Sequence, residues 1–343
     1  MKRSDYANMI DAAAQLILRQ SESIHGNKLL LVNPAADTMD GLRDAWPERS
    51  LLSWSLHARS HNANDVTDFF TAHLTEPLDV DGVIVFLPKE KKLVAMLMAN
   101  LAAVVPAGTP LWLSGHKDTG IKSQLKITHP GWSPFTKLAS GNHCQLVQTQ
   151  LNQSHDFDPE AWYQVYSVPT PGGALNVTTM PGVFSADHLD AGTELLLANM
   201  PSYVGGRVLD FGCGAGVISA WLAKNTGVKE LFAIDASPLA LAATARTLAS
   251  FEVPHECIGS DGLAQSPRRL DWIITNPPFH TGKQIDYHIT REFIQKSRQC
   301  LRKNGTLLLV ANRFLPYRDV LADTFKKVDT IAENSRFIVW RAC

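Results

Sequence analysis

The sequence predicts an α/β fold: two tandem domains, each a mostly parallel sheet with helices on both faces. Three observations predict it. In the second half, short apolar runs alternate with helix-length stretches, the pattern of βαβ units. The first half repeats part of that pattern in a worn form. The length, 343 residues, suits about two domains of ordinary size.

The elements of the second half read in order. "GRVLDFGCGAG" is a buried strand running into a glycine-rich turn, and "VISAWLAKNT" is the helix after it. "ELFAIDAS" is a second strand. "PLALAATARTLASF" is a second helix, with Pro238 suited to its first turn. "HECIGSDG" and "LDWIITNPPF" supply the third and fourth strands. "REFIQKSRQCLRKNG" reads as a helix with Gly305 as its stop. "TLLLVANRF" is the fifth strand, and "VDTIAENSRFIVWRA" forms two more joined by a tight turn. The sum is a mostly parallel seven-stranded sheet closed by a terminal antiparallel hairpin.

The first half matches it piece by piece. "VDGVIVFLPK" (Val80–Lys89) parallels "LDWIITNPPF", and "PAGTPLWLSG" parallels "KNGTLLLVAN". "KLLLVNPAAD" would match "RVLDFGCGAG", but its turn is Asn33-Pro34-Ala35-Ala36, without glycine. Two readings stay open: a loose likeness shared by any two α/β domains, or a duplicated domain that lost its cofactor site. Under either, residues 1–163 are expected to bind no nucleotide-like cofactor. The Pro/Gly-rich passage near Pro169 places a linker at 164–172 and a second domain at 173–343.

Composition excludes several classes. Hydrophobic residues at 45% supply a full core, so disorder is not expected. With 32 Lys+Arg against 33 Asp+Glu, a nucleic-acid partner would need local basic patches. Five cysteines without a Cys-x-x-Cys pair argue against a disulfide framework or zinc site, and the lone His116, His129 and His143 show no ligand spacing. No metal is expected. The start, "MKRSDYANMIDAAAQLIL", reads as an amphipathic helix, not a signal peptide. No run reaches the ~18 apolar residues that span a bilayer. A soluble, cytoplasmic, monomeric protein is expected.

The chemistry concentrates at strand ends. Gly212, Gly214 and Gly216 permit positive φ and let a ligand touch the backbone, and the following helix points its N–H groups at it. Dinucleotide enzymes place G-x-G-x-x-G here, but Val217 breaks that spacing. Asp210 precedes the turn, where it would repel a pyrophosphate and attract the free ammonium of S-adenosylmethionine. Asp235, at the end of the second strand, can accept both ribose hydroxyls, or merely cap the helix at Ser237-Pro238. Asp261 can accept from an adenine amino group, or be a turn aspartate beside Gly262.

"TNPPF" (Thr275–Phe279) ends the fourth strand, where open parallel sheets bind ligands. Two prolines remove two backbone donors and stiffen the turn. The Asn276 side-chain oxygen and the Pro277 carbonyl can then grip both hydrogens of an exocyclic amine. That favours a pyramidal nitrogen with its lone pair aimed at a methyl donor. Phe279 offers a face for stacking a base, worth ~1–3 kcal/mol. Catalysis would rest on alignment. A rigid surface turn is the bland alternative, and the upstream glycine turn argues against it.

Other residues carry less. His280 can touch substrate or be an ordinary surface histidine. Lys283, Arg313, Arg318 and Arg336 can line the mouth and bind RNA phosphate, or be solvated charge. In "FSADHLDAGTELLL" a helix starts at Asp190 or Thr193. Phe184 and Thr193 can cover a cofactor or play plain core and cap roles.

With these motifs in place, the sequence resembles the S-adenosylmethionine-dependent methyltransferases that act on amino groups. More narrowly it resembles the bacterial 16S ribosomal RNA guanine-N2 methyltransferases named for nucleotide 1207. "GVFSADHLDAGTELLL", "VLDFGCGAGVIS", "AIDAS", "SDG" and "IITNPPFHTGKQID" carry the resemblance. Adenine-N6 and glutamine-N5 enzymes share "NPP" but usually have Tyr where Phe279 stands. The resemblance implies two tandem Rossmann-like methyltransferase-type domains, the first without a cofactor site and aiding folding or substrate binding. It also implies action on 16S ribosomal RNA in the assembled small subunit. Adenine-N6 or protein glutamine-N5 methylation, and a non-catalytic RNA-binding assembly factor, remain as alternatives. An NAD-dependent oxidoreductase is disfavoured by the glycine spacing and Asp210.

Overall fold

The central strands come from the most continuous apolar runs, as expected where both sheet faces are covered. The computed structural model describes residues 10–62, 64–65, 67–184, 188–277 and 283–343, with the side chains of 283–288 left aside. The chain divides into two compact units, Met1–Trp162 and Tyr163–Cys343.

In the first unit the strands are β1 (Lys28–Val32), β2 (Ser50–Trp54), β3 (Asp68–Phe69), β4 (Gly82–Phe86), β5 (Pro110–His116), β6 (Thr136–Gly141) and β7 (Cys144–Gln150). Their order is β3-β2-β1-β4-β5-β7-β6, parallel except for β7. Helices α1 (Ala12–Arg19), α2 (Ala36–Ala45), α3 (Lys91–Val104) and α4 (Ile121–Gln124) accompany it. Leu29, Leu31, Ile84 and Trp112 pack with Ile17 and Trp46 in its core.

The second unit opens with a two-stranded antiparallel sheet, β8 (Gln164–Val168) and β9 (Leu175–Thr179). The passage 164–172, expected as a linker, therefore forms a strand and its turn: "QVYSV" pairs with "LNVTT". Next come α5 (Ala191–Ala198), β10 (Gly205–Phe211), α6 (Val217–Asn225), β11 (Gly227–Asp235), α7 (Pro238–Leu248) and β12 (His255–Gly259). Then follow β13 (Leu270–Thr275), α8 (Lys283–Cys300), β14 (Leu301–Asn312), α9 (Tyr317–Thr324), β15 (Val328–Glu333) and β16 (Phe337–Ala342). The order β12-β11-β10-β13-β14-β16-β15 repeats that of the first unit, and β16 is again the antiparallel member. Two tandem α/β domains and the terminal hairpin are thus as the sequence predicts.

Gly305 is a correction. The helix ends at Cys300, and Gly305 lies inside β14. Register slips there, Leu270 facing Leu301 but Trp272 facing Thr306. A Cβ on Gly305 would stand 2.7 Å from the Leu270 carbonyl oxygen. The glycine serves a close strand approach, not a helix cap.

The same order places the switch point between β10 and β13, where the chain leaves one flank of the sheet for the other. Phe211 and Thr275, the last residues of these strands, are register partners, and the Thr275 hydroxyl donates to the Phe211 carbonyl at 2.7 Å. Beneath, Leu209, Ile273, Leu307, Leu309 and Phe293 form the core, with the Phe211 and Phe293 rings stacked at 4.5 Å. Truncating one such leucine to alanine typically costs about 2–5 kcal/mol.

Candidate active site

The glycine turn leaves β10 with three left-handed residues: Gly212, Gly214 and Gly216 have φ of 72°, 57° and 81°. An L side chain pays for this conformation with strain, so only glycine fits readily. Helix α7 holds the turn from below. Thr244 donates to the Gly214 carbonyl at 3.0 Å and Thr247 to the Ala215 carbonyl at 2.8 Å. These two buried threonines support the turn without belonging to any of the strand-end motifs. Their signal is two hydroxyls three apart in a helix otherwise made of Ala and Leu apart from Pro238 and Arg246.

Asp210 faces inward. It is fully buried, and its Oδ2 accepts from the Ser219 amide at 3.0 Å and the Ser219 hydroxyl at 2.6 Å. Ser219 is the third residue of α6, whose N-cap is Gly216 without a side-chain cap. The strand carboxylate thus caps that helix, at the end where negative charge is favoured. Burial raises the Asp210 pKa to about 7; the Ser219 hydrogen bonds oppose the rise and the nearby Asp235 charge adds to it. Asp210 underlies the turn and is not on the cavity wall. The sequence sets Asp210 beside the turn as a charge for a ligand ammonium; the structure sets it beneath the turn, where it caps α6.

Above the turn lies a cavity of about 310 Å³ in the second unit, within the range of small-molecule sites. Gly212, Gly214, Asp235 and Asn276 line it together, so the structure gathers four expected site residues on one wall. Asp235 Oδ2 accepts from the Gly214 amide at 3.0 Å and Oδ1 from the Ser237 amide at 2.9 Å. Asp235 thus holds the glycine turn and the start of α7 and also lines the cavity. Tyr166, from β8, and the strongly exposed Phe184 complete part of the rim.

Asn276, the residue after β13, reaches α5. Its Nδ2 donates to Asp190 Oδ2 at 2.7 Å and to Thr193 Oγ1 at 3.0 Å. The same Asp190 oxygen accepts from the Gly192 and Thr193 amides at 2.9 and 3.1 Å, capping α5. Pro277 is buried beside it. Phe279 and His280 lie outside the described residues, as does the Lys283 side chain, though Lys283 begins α8. Asp261 is exposed and is not on the cavity wall. Arg313 is also off that wall; it follows β14, donates to the Asn334 carbonyl at 3.2 Å and pairs with Glu333 at 3.6 Å.

The cysteine nearest the site is no nucleophile. Cys213 lies in the turn and on the cavity wall but is largely buried, and burial, with Asp235 and Asp210 nearby, pushes its thiol well above the ordinary range. Among the described residues, no group of three or more His, Cys, Asp or Glu is arranged to hold a metal ion, and no helix is long and apolar enough to cross a membrane.

S-adenosylmethionine fits this wall. A Cβ at Gly214 would enter open space, with no heavy atom within 4 Å, so the backbone leaves room where a ligand would rest. The carboxylate of Asp235 on this wall favours a cationic ligand over a pyrophosphate. A doubly wound sheet, a glycine cradle at its switch point and an Asn-Pro-Pro strand end define the S-adenosylmethionine-dependent methyltransferase class.

The comparisons place the chain more narrowly. The family described as Methyltransferase small domain matches residues 174–341, and its N-terminal counterpart, Methyltransferase small domain N-terminal, matches 14–166. Ribosomal RNA small subunit methyltransferase C of Idiomarina loihiensis is 37% identical over 97% of this chain and 99% of its own length. That of Shewanella loihica is 36% identical over 97% and 98%. The solved T. thermophilus 16S rRNA N2 G1207 methyltransferase, in complex with AdoMet and guanosine, superposes with a TM-score of 0.80. It covers 97% of this chain and 91% of its own at 20% identity, a likeness of fold. This chain belongs to the ribosomal RNA small subunit methyltransferase C family.

Proposed function

We propose that the protein transfers a methyl group from S-adenosylmethionine to the exocyclic N2 of a guanine in 16S ribosomal RNA, at the position named in its T. thermophilus relative, with the assembled small subunit as substrate. Family membership supports the reaction class. The observation that carries the site reading is the Asn276 amide: both its N–H groups are engaged, by Asp190 and Thr193, which leaves its Oδ1 as the group available to the cavity.

The cofactor, when bound, supplies an electrophilic methyl on a positively charged sulfur. Gly212, Gly214 and Asp235 would hold it, with Asp261 as a further candidate for its base. The protein's own task is to hold the amine. Asn276 Oδ1 accepts one amine hydrogen and the Pro277 carbonyl the other, so the nitrogen lone pair is freed from the base and set in line. Phe279 stacks the base. Alignment of this kind can supply several kcal/mol of the barrier reduction. The nitrogen sheds one proton as it gains the methyl. An aromatic ammonium is acidic enough for water to take that proton. His280, Lys283 and Arg313 serve the RNA, the last two through its phosphates.

The test is a labelled-cofactor assay on free RNA, small subunits and whole ribosomes in parallel, followed by nucleoside mass spectrometry. Small subunits are expected to give N2-methylguanosine. Label in N6-methyladenosine or in protein would overturn the reading. The Asn276→Ala variant is expected to bind the cofactor normally and lose at least 100-fold in kcat.

A further inference from the structure

An asparagine amide is nearly symmetric in shape. Rotated by half a turn, Asn276 would present an NH₂ group to the substrate NH₂, donor against donor. The proposed reaction therefore depends on whatever decides which end faces the cavity. Asp190 supplies the decision. Its Oδ2 lies 2.7 Å from Asn276 Nδ2, and a carboxylate can only accept. A rotated amide would put two oxygens at that distance. Thr193 Oγ1 takes the second Nδ2 hydrogen at 3.0 Å. Asn276 is 86 and 83 positions from these two partners in sequence, yet meets both at one point.

Asp190 is itself held. The first-turn amides of Gly192 and Thr193 bind the same oxygen, so the start of α5 fixes it from one side and Asn276 from the other. Gly192 leaves room for this: a Cβ there would sit 3.0 Å from Asp190 Oδ2, 3.3 Å from the Phe337 ring and 3.4 Å from Asn276 Nδ2. Donation to a carboxylate also polarises the amide, leaving more negative charge on its Oδ1. That oxygen becomes a stronger acceptor for the amine hydrogen.

We propose that Asp190 and Thr193 are the positioning pair of the methyl transfer, locking and polarising the Asn276 amide so that its oxygen faces the substrate amine. The proposal rests on Asn276 acting as the amine acceptor. Neither residue touches the reacting atoms; they act through Asn276.

The experiment is a double-mutant cycle in steady-state kinetics on small subunits. Asp190→Ser retains an oxygen to cap α5 but is too short to reach Asn276. Thr193→Val keeps the shape and removes the hydroxyl, and Thr193→Ser restores it. Asp190→Ser is expected to lower kcat about 10- to 100-fold, with KM for cofactor and RNA within about threefold, the size expected for a lost positioning contact. Thr193→Val should lose several-fold and Thr193→Ser recover to near the original rate. In an Asn276→Ala background, Asp190→Ser should change kcat by less than about twofold, because the pair has nothing left to position. Losses that multiply in the double variant would overturn the proposal, as would a loss carried by KM or by unfolding temperature. The two claims separate cleanly. Full activity in Asn276→Ala would remove the amine grip and the pair with it. Loss in Asn276→Ala with full activity in Asp190→Ser and Thr193→Val would remove the pair alone. A further readout is the Asn276 side-chain NH₂ in ¹⁵N-resolved spectra. It should exchange slowly in the natural protein and fast in Asp190→Ser; equal exchange would also overturn the lock.

Discussion

Asp235 accepts the Gly214 amide at 3.0 Å, which ties the end of β11 to the glycine turn of β10 across the cofactor cavity. One carboxylate thus shapes the turn and lines the cavity. Asp235→Ala removes both functions. We expect cofactor affinity to fall about 10- to 100-fold by calorimetry, the scale of one or two charge-assisted hydrogen bonds. Asp235→Asn keeps an acceptor for one amide and should fall between. Unaltered affinity in the alanine variant would leave Asp235 with the helix start alone.

Gly214 and Gly216 both need positive φ, but their surroundings differ. A Cβ at Gly214 enters open space on the ligand side, while one at Gly216 meets the Thr244 side chain and backbone at 3.1–3.2 Å. Gly214→Ala should therefore lose cofactor binding out of proportion to stability, about 1–2 kcal/mol of strain aside. Gly216→Ala should lose more stability, because crowding against buried Thr244 adds to strain. Thermal unfolding and calorimetry on the two variants check the ordering; the reverse order would refute it.

Much of this was readable in the sequence because the informative features are local. Buried parallel strands are continuous apolar runs, and glycine or proline at a strand end marks a turn whatever surrounds it. Orientation and distant contact were not readable. A strand buried on both faces has no polar side to orient by, so nothing in "VLDF" told that Asp210 turns toward α6. Asn276 meets Asp190 from 86 residues away, and a helix-capping aspartate looks the same whether or not it has a second partner. Gly305 reads as a helix stop by proximity to lysine and asparagine, yet its reason is the Leu270 carbonyl of a neighbouring strand. The first strand of the second unit was masked by the prolines and glycines that follow it.

The first unit has a turn of similar geometry at the end of β1. Asn33 has φ of 57° and its amide bonds the Trp54 carbonyl at 2.8 Å, as the Gly212 amide bonds that of Ile234. Asparagine tolerates that conformation. The turn then runs only through Pro34 and Ala35 before α2 begins, without the further left-handed glycines that open the second cradle. We expect one cofactor per chain in calorimetry of the full protein, and no residual site in Asp235→Ala combined with Gly214→Ala. A second equivalent bound would contradict it.

Asp210 is expected to make both stability and cofactor binding depend on pH. Its carboxyl has an ordinary value of 3.8 when exposed and about 7 in the fold, where burial is the main cause. Below about pH 4 both states are protonated and stability carries no penalty. Between there and about pH 7 the unfolded chain has lost its proton and the folded chain keeps it, so stability falls as pH rises. Above 7 the loss is complete, on the order of 4 kcal/mol. Asp210→Asn keeps an acceptor for Ser219 and cannot ionise. It should match the natural protein near pH 4 and exceed it in denaturant unfolding at pH 8. A cationic ligand in the adjoining cavity favours the ionised carboxylate, so cofactor affinity should rise from pH 6 to 8 with proton release, and stay flat in the asparagine variant. Parallel stability curves at the two pH values would mean that Asp210 is ionised throughout, held so by Ser219 and the α6 terminus.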